Sequence, residues 1–431
     1  MASVHRICSM RGHLYTFSFI RYIRGQFMSQ SGGSHSETAS QWKSFTSCVT
    51  GRSTLSLECG SVSQLRVSSI RRLASVPDLA VTVETEKKSQ EANILFSSSQ
   101  ALVEENPQRS LYRDIVHEFP DGIQMAFAYG SGAIQQGNAN DKSKNMLDFI
   151  FVVDKPRRWH RINLERHPHH YSFLKHFGPR TITRIQERYG AGAYFNTLVP
   201  MAGRTIKYGV ISTARLVTDL LDWESLYISG RLHKPVSFVV IPSDENLLTA
   251  LTVNLRSAVH AALLLLPDMF TEEQLYLTIA KLSYAGDFRM AVAEDNNKIT
   301  NIVQPSLPLF RQMYSSFLLE DVHSTWWPQE GQLEQALTFE SRHHHLKCLP
   351  TKVLYGLLMQ KYQIGVFPDL EEIIKLHAYD SDCGSHVAQS IRHIVKRSSV
   401  SQSLKGILTA GVLKSLRYSS SKILKKVRSR R

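Results

Sequence analysis

A glycine-serine-glycine triplet and one lone acid are the residues best suited to chemistry in this chain of 431 residues. The triplet, Gly130-Ser131-Gly132, ends the apolar run 125–129. Glycines let the backbone turn tightly and present successive N–H groups to an anion, and the serine hydroxyl adds a donor. The acid, Asp148, stands among Leu147, Phe149, Ile150 and Phe151. A carboxylate inside an apolar run is costly unless something positive meets it. A magnesium ion carrying a nucleoside triphosphate would meet it. The plainer alternative is two strands joined by a flexible glycine loop, with a half-exposed aspartate.

Strands must hold these groups. The runs 125–129 and 146–153 have strand length and composition. A helix is expected over 104–119, where Leu111, Ile115 and Phe119 recur every four residues, and Pro120-Asp121-Gly122 reads as a turn. Another helix is expected over 180–189, stopped by Gly190-Ala191-Gly192. Strands follow over 194–199 and 205–211, the second interrupted by Lys207. Ser212 or Thr213 caps a helix that runs to Trp223. A glycine-containing loop over 226–235 carries Arg231, His233 and Lys234, and a strand over 236–241 closes the region. This alternation over 91–242 predicts an α/β domain with a mixed sheet. Beyond it the chain reads as helical: a long apolar-faced helix over 247–266, another from Thr271, and helix over 306–345, with His343-His344-His345 as a solvated helix end. The expected divisions are 1–90, 91–242, 243–350 and 351–431.

Charge is unevenly placed. The net charge is +14. Residues 1–80 hold nine Lys/Arg against three acids, and residues 401–431 hold nine Lys/Arg and no acid. The middle is near neutral, which excludes a protein that coats nucleic acid. The first 36 residues lack acids and interleave Arg with Leu, Phe and Ser, the composition of a mitochondrial or plastid presequence. Serine-rich sequence of low hydrophobicity continues to about Pro77, and no fixed structure is expected of it. In the tail, Leu404, Ile407, Leu408, Val412 and Leu416 fall mainly on one helical face, with Lys405, Lys414, Arg417 and Lys422 widening the other. Such a basic amphipathic helix suits an anionic lipid surface, the alternatives being docking on its own protein or nucleic-acid binding. The five cysteines form no pair with metal-ligand spacing, and an odd count argues against a disulfide framework. Four histidines, His160, His167, His169 and His170, invite a zinc reading, but no acid or cysteine joins them at ligand spacing. Lining a substrate pocket is the alternative, with Arg161, Arg166, Lys175 and Arg180 available to neutralise phosphate.

An ordered set of stretches carries a family resemblance. They are Phe119-Pro120, Tyr129-Gly130-Ser131-Gly132, Met146-Leu147-Asp148-Phe149-Ile150-Phe151, Trp159-His160, Asn163-Leu164, His169-His170-Tyr171-Ser172 and Tyr189-Gly190-Ala191-Gly192. Further on stand Ile206-Lys207-Tyr208-Gly209-Val210-Ile211, Gly230-Arg231-Leu232, Lys234-Pro235, Leu282-Ser283-Tyr284, Gly286-Asp287-Phe288-Arg289-Met290, Lys405-Gly406-Ile407 and Thr409-Ala410-Gly411. Over about 110–415 the chain resembles the mitochondrial phosphatidate cytidylyltransferase family, also called the translocator assembly and maintenance family.

The resemblance implies a nucleotidyltransferase-like α/β domain with a mixed sheet, then a mainly helical, winged-helix-like domain and a C-terminal amphipathic helix. It implies CTP and phosphatidic acid as substrates, CDP-diacylglycerol and pyrophosphate as products, and Mg²⁺ as cofactor. It also implies a peripheral position on the matrix side of the mitochondrial inner membrane and a part in cardiolipin synthesis. No nucleic-acid partner is expected. On these residues it implies that Tyr129, Gly130, Ser131 and Gly132 bind the nucleotide. Asp148 would ligate the metal and, with Ser131 and Lys207, serve catalysis. Arg231, Lys234 and His170 would meet the lipid phosphate. The wider superfamily carries a second acid two residues after the first, where this chain has Ile150. Asp141, Asp154 and Asp287 are the candidates for a further ligand. Two other readings are a nucleotidyltransferase acting on an RNA end and a non-catalytic factor for translocase assembly.

Overall fold

The computed structural model describes residues 108–134, 146–292, 297–361 and 369–411. The expected presequence, Asp141 and the tail beyond Gly411 lie outside these residues. Helix α1 (Arg109–His117) leads into β1 (Ile123–Tyr129) through the Pro120-Asp121-Gly122 turn. β1 pairs antiparallel with β2 (Leu147–Val153), which sets Tyr129 opposite Asp148. Pro156 opens α2 (Pro156–Arg166), where its missing N–H costs nothing. α3 (Gly178–Arg188) precedes the antiparallel pair β3 (Ala193–Met201) and β4 (Arg204–Ser212). The Ser212 side chain accepts from the Arg215 N–H and caps α4 (Thr213–Asp222). After the one-turn helix Ser229–Leu232 comes β5 (Ser237–Val240).

These strands form one sheet in the order β3-β4-β2-β1-β5. β2 and β4 run parallel and the other neighbours antiparallel, so the sheet is mixed. Side-chain alternation divides its strands between two apolar layers. Ala126, Ala128, Phe149, Phe151, Tyr208 and Val210 pack with Tyr112 and Ile115 of α1 and Trp159 of α2. Met125, Phe127, Ile150, Val152 and Ile211 pack on the other face with Leu216 and Leu220 of α4. That second layer also takes Leu247, Ala250 and Leu251 of the next helix, α5 (Glu245–Leu265). α5 is long and apolar enough to cross a membrane, but most of it is buried inside the protein.

The C-terminal half of α5 enters a separate core. Around it lie β6 (Met269–Thr271), α6 (Glu272–Leu282), α7 (Leu307–Glu320), β7 (Ser324–Trp327) and β8 (Gln332–Gln335). They are followed by α8 (Phe339–Lys347), α9 (Thr351–Lys361), α10 (Leu370–Tyr379) and α11 (Cys383–Ala410). The three short strands pair in the order β6-β8-β7. A continuous helical stretch over 306–345 is therefore wrong. Pro328 and Gly331 turn the chain, and Trp326 and Leu333 face each other across an antiparallel hairpin. The solvated reading of the His343–His345 run is also wrong at its third member. His345 is buried and shares a hydrogen bond with His260 of α5 at 3.0 Å.

α11 runs from this core back to the sheet. Gln402 accepts from the Ala191 N–H at 2.9 Å and donates to the Ala193 carbonyl at 3.3 Å. Lys405 donates to the carbonyls of Gln186 and Tyr189. Lys405 therefore does not widen a solvated face. It is buried, and the burial lowers its amine to about 7. The predicted apolar face, Leu404, Ile407 and Leu408, points to solvent instead.

Candidate active site

At the end of β1 the backbone turns at Gly130, whose φ of 78° lies in the region open chiefly to glycine. The turn brings Gly130 over Asp148, with the carboxylate 3.8 Å from where a Cβ would stand. Gly132 serves differently. A Cβ there would lie 2.6 Å from the Met146 carbonyl, so only glycine lets the turn lie against the start of β2.

Parallel pairing of β2 with β4 places Lys207 directly beside Asp148. The Lys207 Nζ stands 3.6 Å from Asp148 Oδ1 and 5.0 Å from the centre of the Phe195 ring. Asp148 Oδ1 is buried and accepts no hydrogen bond. Beyond the Lys207 ion pair this oxygen has no partner, and a carboxylate oxygen suits a hard cation such as magnesium. Ser131 is exposed at the mouth of the turn.

Arg231 closes the site from the loop before β5. Its guanidinium lies 5.2 Å from the Tyr129 ring and 4.0 Å from the Tyr227 ring, and it donates to the Tyr227 carbonyl. Arg231 Nε and the Tyr129 hydroxyl are buried without a hydrogen-bond partner. Arg289 approaches Tyr227 from the other side, 5.8 Å away, and is held in a two-pronged pair with Asp287. Burial raises the Tyr227 phenol, but Arg231, Arg289 and Lys207 lower it by more, leaving it at about 7. Three cations thus converge on Tyr227, an arrangement that suits a polyanionic ligand.

The expected phosphate residues are not all brought together. Lys234 is near Arg231 but turned inward, donating to the Gly230 carbonyl and to Ser283 Oγ. Burial, then Arg231 and Lys298, push its amine well below its ordinary value. His170 lies on the opposite face of the sheet, against Phe119 and 3.0 Å from the Tyr208 hydroxyl. Among the proposed further acids, Asp154 sits at the far end of β2, about 20 Å from Asp148 at strand rise, and accepts from Thr213 Oγ1. Asp287 is close to the cation group but engaged by Arg289.

Asp219 is a functional residue that the sequence reading missed. Its Oδ1 accepts from the Ser225 N–H and hydroxyl and from the Leu226 N–H. Its Oδ2 accepts from the Ser229 N–H and hydroxyl. The loop carrying Tyr227 and Arg231 is wound around this one buried carboxylate, between Trp223 and Leu226 with φ near 50°. The pair Ser225 and Ser229 flanking the loop was the available signal. Replacing Asp219 by Ala leaves five donations without an acceptor. The expected loss is about 3 kcal/mol or more, with the Asn variant intermediate. Urea unfolding measures this, and activity should fall with it because Tyr227 and Arg231 lose their support.

Fold and site define an α/β protein that gathers a glycine turn, a bare acid and three cations at one end of a mixed sheet. The family model for phosphatidate cytidylyltransferase, mitochondrial, matches residues 112–425. A Xenopus laevis protein of that name is 48% identical over 322 residues, 74% of this chain and 95% of that one. A Danio rerio protein so named is 48% identical over 316 residues, covering 73% and 94%. A Caenorhabditis elegans one is 40% identical over 321 residues, covering 74% and 99%. The chain belongs to the mitochondrial phosphatidate cytidylyltransferase family, enzymes of the nucleotidyltransferase kind.

Proposed function

We propose that this chain transfers the cytidylyl group of CTP to phosphatidate, giving CDP-diacylglycerol and pyrophosphate for cardiolipin synthesis in mitochondria. The observation that carries this reading is the bare Asp148 oxygen between the Gly130–Gly132 turn and Lys207. We read the five-stranded sheet as nucleotidyltransferase-like and the helical region with its three-stranded sheet as winged-helix-like.

In the reaction a phosphatidate oxygen attacks the α-phosphorus of CTP and pyrophosphate departs. The protein must align two anions and offset the charge that develops as they meet. The backbone N–H groups of the turn and the Ser131 hydroxyl hold the β- and γ-phosphates. Lys207 and Arg231 offset charge on either side of Asp148. Burial lowers the Lys234 amine, and an approaching phosphate would favour its charged form. Asp148 is the residue that would hold Mg²⁺, which when bound neutralises phosphate charge. The test is product identity: CDP-diacylglycerol, detected by mass spectrometry, formed from CTP and phosphatidate vesicles.

We place the chain peripherally on the matrix side of the inner membrane. Support comes from the outward face of α11, where Leu404, Ile407 and Leu408 are exposed. Ser172 Oγ donates to the Leu408 carbonyl, which sets the exposed Phe173 and its neighbour Phe177 beside that helix end. The inward face, Gln402 and Lys405, already serves the protein itself, so cutting before residue 403 would damage the sheet region as well. Truncation after Gly411 is the cleaner experiment. Flotation with anionic vesicles should weaken and become less salt-sensitive, since eight basic residues are removed, each worth about 1 kcal/mol near the surface. CTP affinity should be unchanged. Flotation equal to that of the full chain would place the anchor elsewhere.

A further inference from the structure

Four imidazoles meet in the helical region, well away from the reaction site. His260 comes from α5, His323 from the segment before β7, and His344 and His345 from α8. Ring centres lie 5.5 Å apart for His260 and His344, 5.2 Å for His260 and His345, and 4.9 Å for His323 and His344. Asp321, at the end of α7, joins them. Donor atoms of His260, Asp321, His344 and His345 all lie within 4.8 Å of one another.

Hydrogen bonding accounts for only part of this gathering. The Nδ1 atoms of His260 and His345 share one hydrogen bond at 3.0 Å, one nitrogen donating and the other accepting. His345 Nε2 and Asp321 Oδ1 are buried with no partner at all. Ser324 Oγ donates to Asp321 Oδ2 at 2.5 Å and fixes its orientation, as the outer partner of a ligating carboxylate does.

We propose that His260, Asp321, His344 and His345 bind one zinc-class divalent ion that ties α5, the end of α7 and α8 together. Three imidazoles and a carboxylate form the tetrahedral nitrogen and oxygen set that zinc accepts, and they disfavour magnesium, which prefers oxygen alone. Four protein ligands leave no open position, so the ion braces the fold rather than entering the reaction. Two other groups of histidines and acids occur among the described residues. His167, His169 and His170 offer three donors, with His169 exposed, and in His377, Asp380 and His386 the acid is already paired with Lys361 at 3.4 Å.

Metal analysis of the purified full chain should find one zinc per molecule. After stripping, added Zn²⁺ should raise the unfolding temperature by several degrees even in excess Mg²⁺, and Co²⁺ should give the visible bands of a tetrahedral site. The double variant Asp321→Asn, His344→Gln, both half-buried positions, should lose the cobalt bands and the thermal response. His169→Gln should keep both. X-ray absorption on the wild-type zinc form gives an independent reading, with a shell of nitrogen and oxygen and the outer scattering of imidazoles. Failure of the wild type to bind zinc, a thermal response that survives the double variant, or loss of the bands in His169→Gln would each overturn the proposal.

Discussion

Asp148→Asn should abolish nucleotide transfer while leaving the fold in place, with kcat lowered by about 10²–10³-fold or more. The change removes one charge and almost no volume. Asp148 sits at the start of β2 with its backbone paired to Tyr129 and Lys207, and those ladders are indifferent to the side chain. Its Oδ1 accepts no hydrogen bond, so the amide forfeits no protein contact there, only the charge opposite Lys207 at 3.6 Å. Thermal unfolding should therefore move little. Steady-state kinetics with CTP and phosphatidate vesicles give the test. An Asn variant with wild-type turnover would remove Asp148 from the reaction.

Gly132→Val should be nearly as damaging, by another route. The new Cβ would lie 2.6 Å from the Met146 carbonyl and 3.2 Å from Leu147 Cδ2. The nearest obstacle is backbone, which cannot swing aside as a flexible side chain does, so the turn and β2 must separate and carry Asp148 with them. Overpacking of this kind costs about 1–3 kcal/mol, and the lost alignment costs more in rate than in stability. Ser131→Ala, at an exposed position, should reduce CTP handling without changing the unfolding temperature. The informative comparison is kcat/KM beside thermal unfolding for the two variants. Unchanged kinetics in Gly132→Val would mean that the turn is an ordinary loop.

Much of this was legible because strand chemistry is local. Apolar runs of strand length and the breakers around them give β1 to β4 within a residue or two, and Asp148 stands out because its neighbours are apolar. The Gly-Ser-Gly turn was legible as a motif, but the roles of its glycines were not. A positive φ falls at Gly130, whereas Gly132 is required by the approach of Met146, the residue just before β2. Tyr227 and Asp219 escaped notice because each acts through partners far along the chain or through a loop with no periodicity, and Arg289, though inside the Gly286–Met290 stretch, gave no sign of its approach to Tyr227. The hairpin over 324–335 was hidden by Trp and Leu residues that fit a helix equally well, until Pro328 and Gly331 are given their weight. Leu404, Ile407 and Leu408 of the tail's apolar face are exposed, Val412 and Leu416 lie outside the described residues, and Lys405 was assigned to solvent because sequence does not reveal the Gln186 and Tyr189 carbonyls that receive it.

The central claim is that the bare acid and the glycine turn serve cytidylyl transfer to a lipid phosphate. The most direct measurement is pyrophosphate release by purified protein with phosphatidate vesicles and magnesium, using each of the four nucleotides in turn. Release is expected with CTP only, only when phosphatidate is present, equimolar with CDP-diacylglycerol, and absent in Asp148→Asn. Release that does not require the lipid, or that persists undiminished in Asp148→Asn, would contradict it.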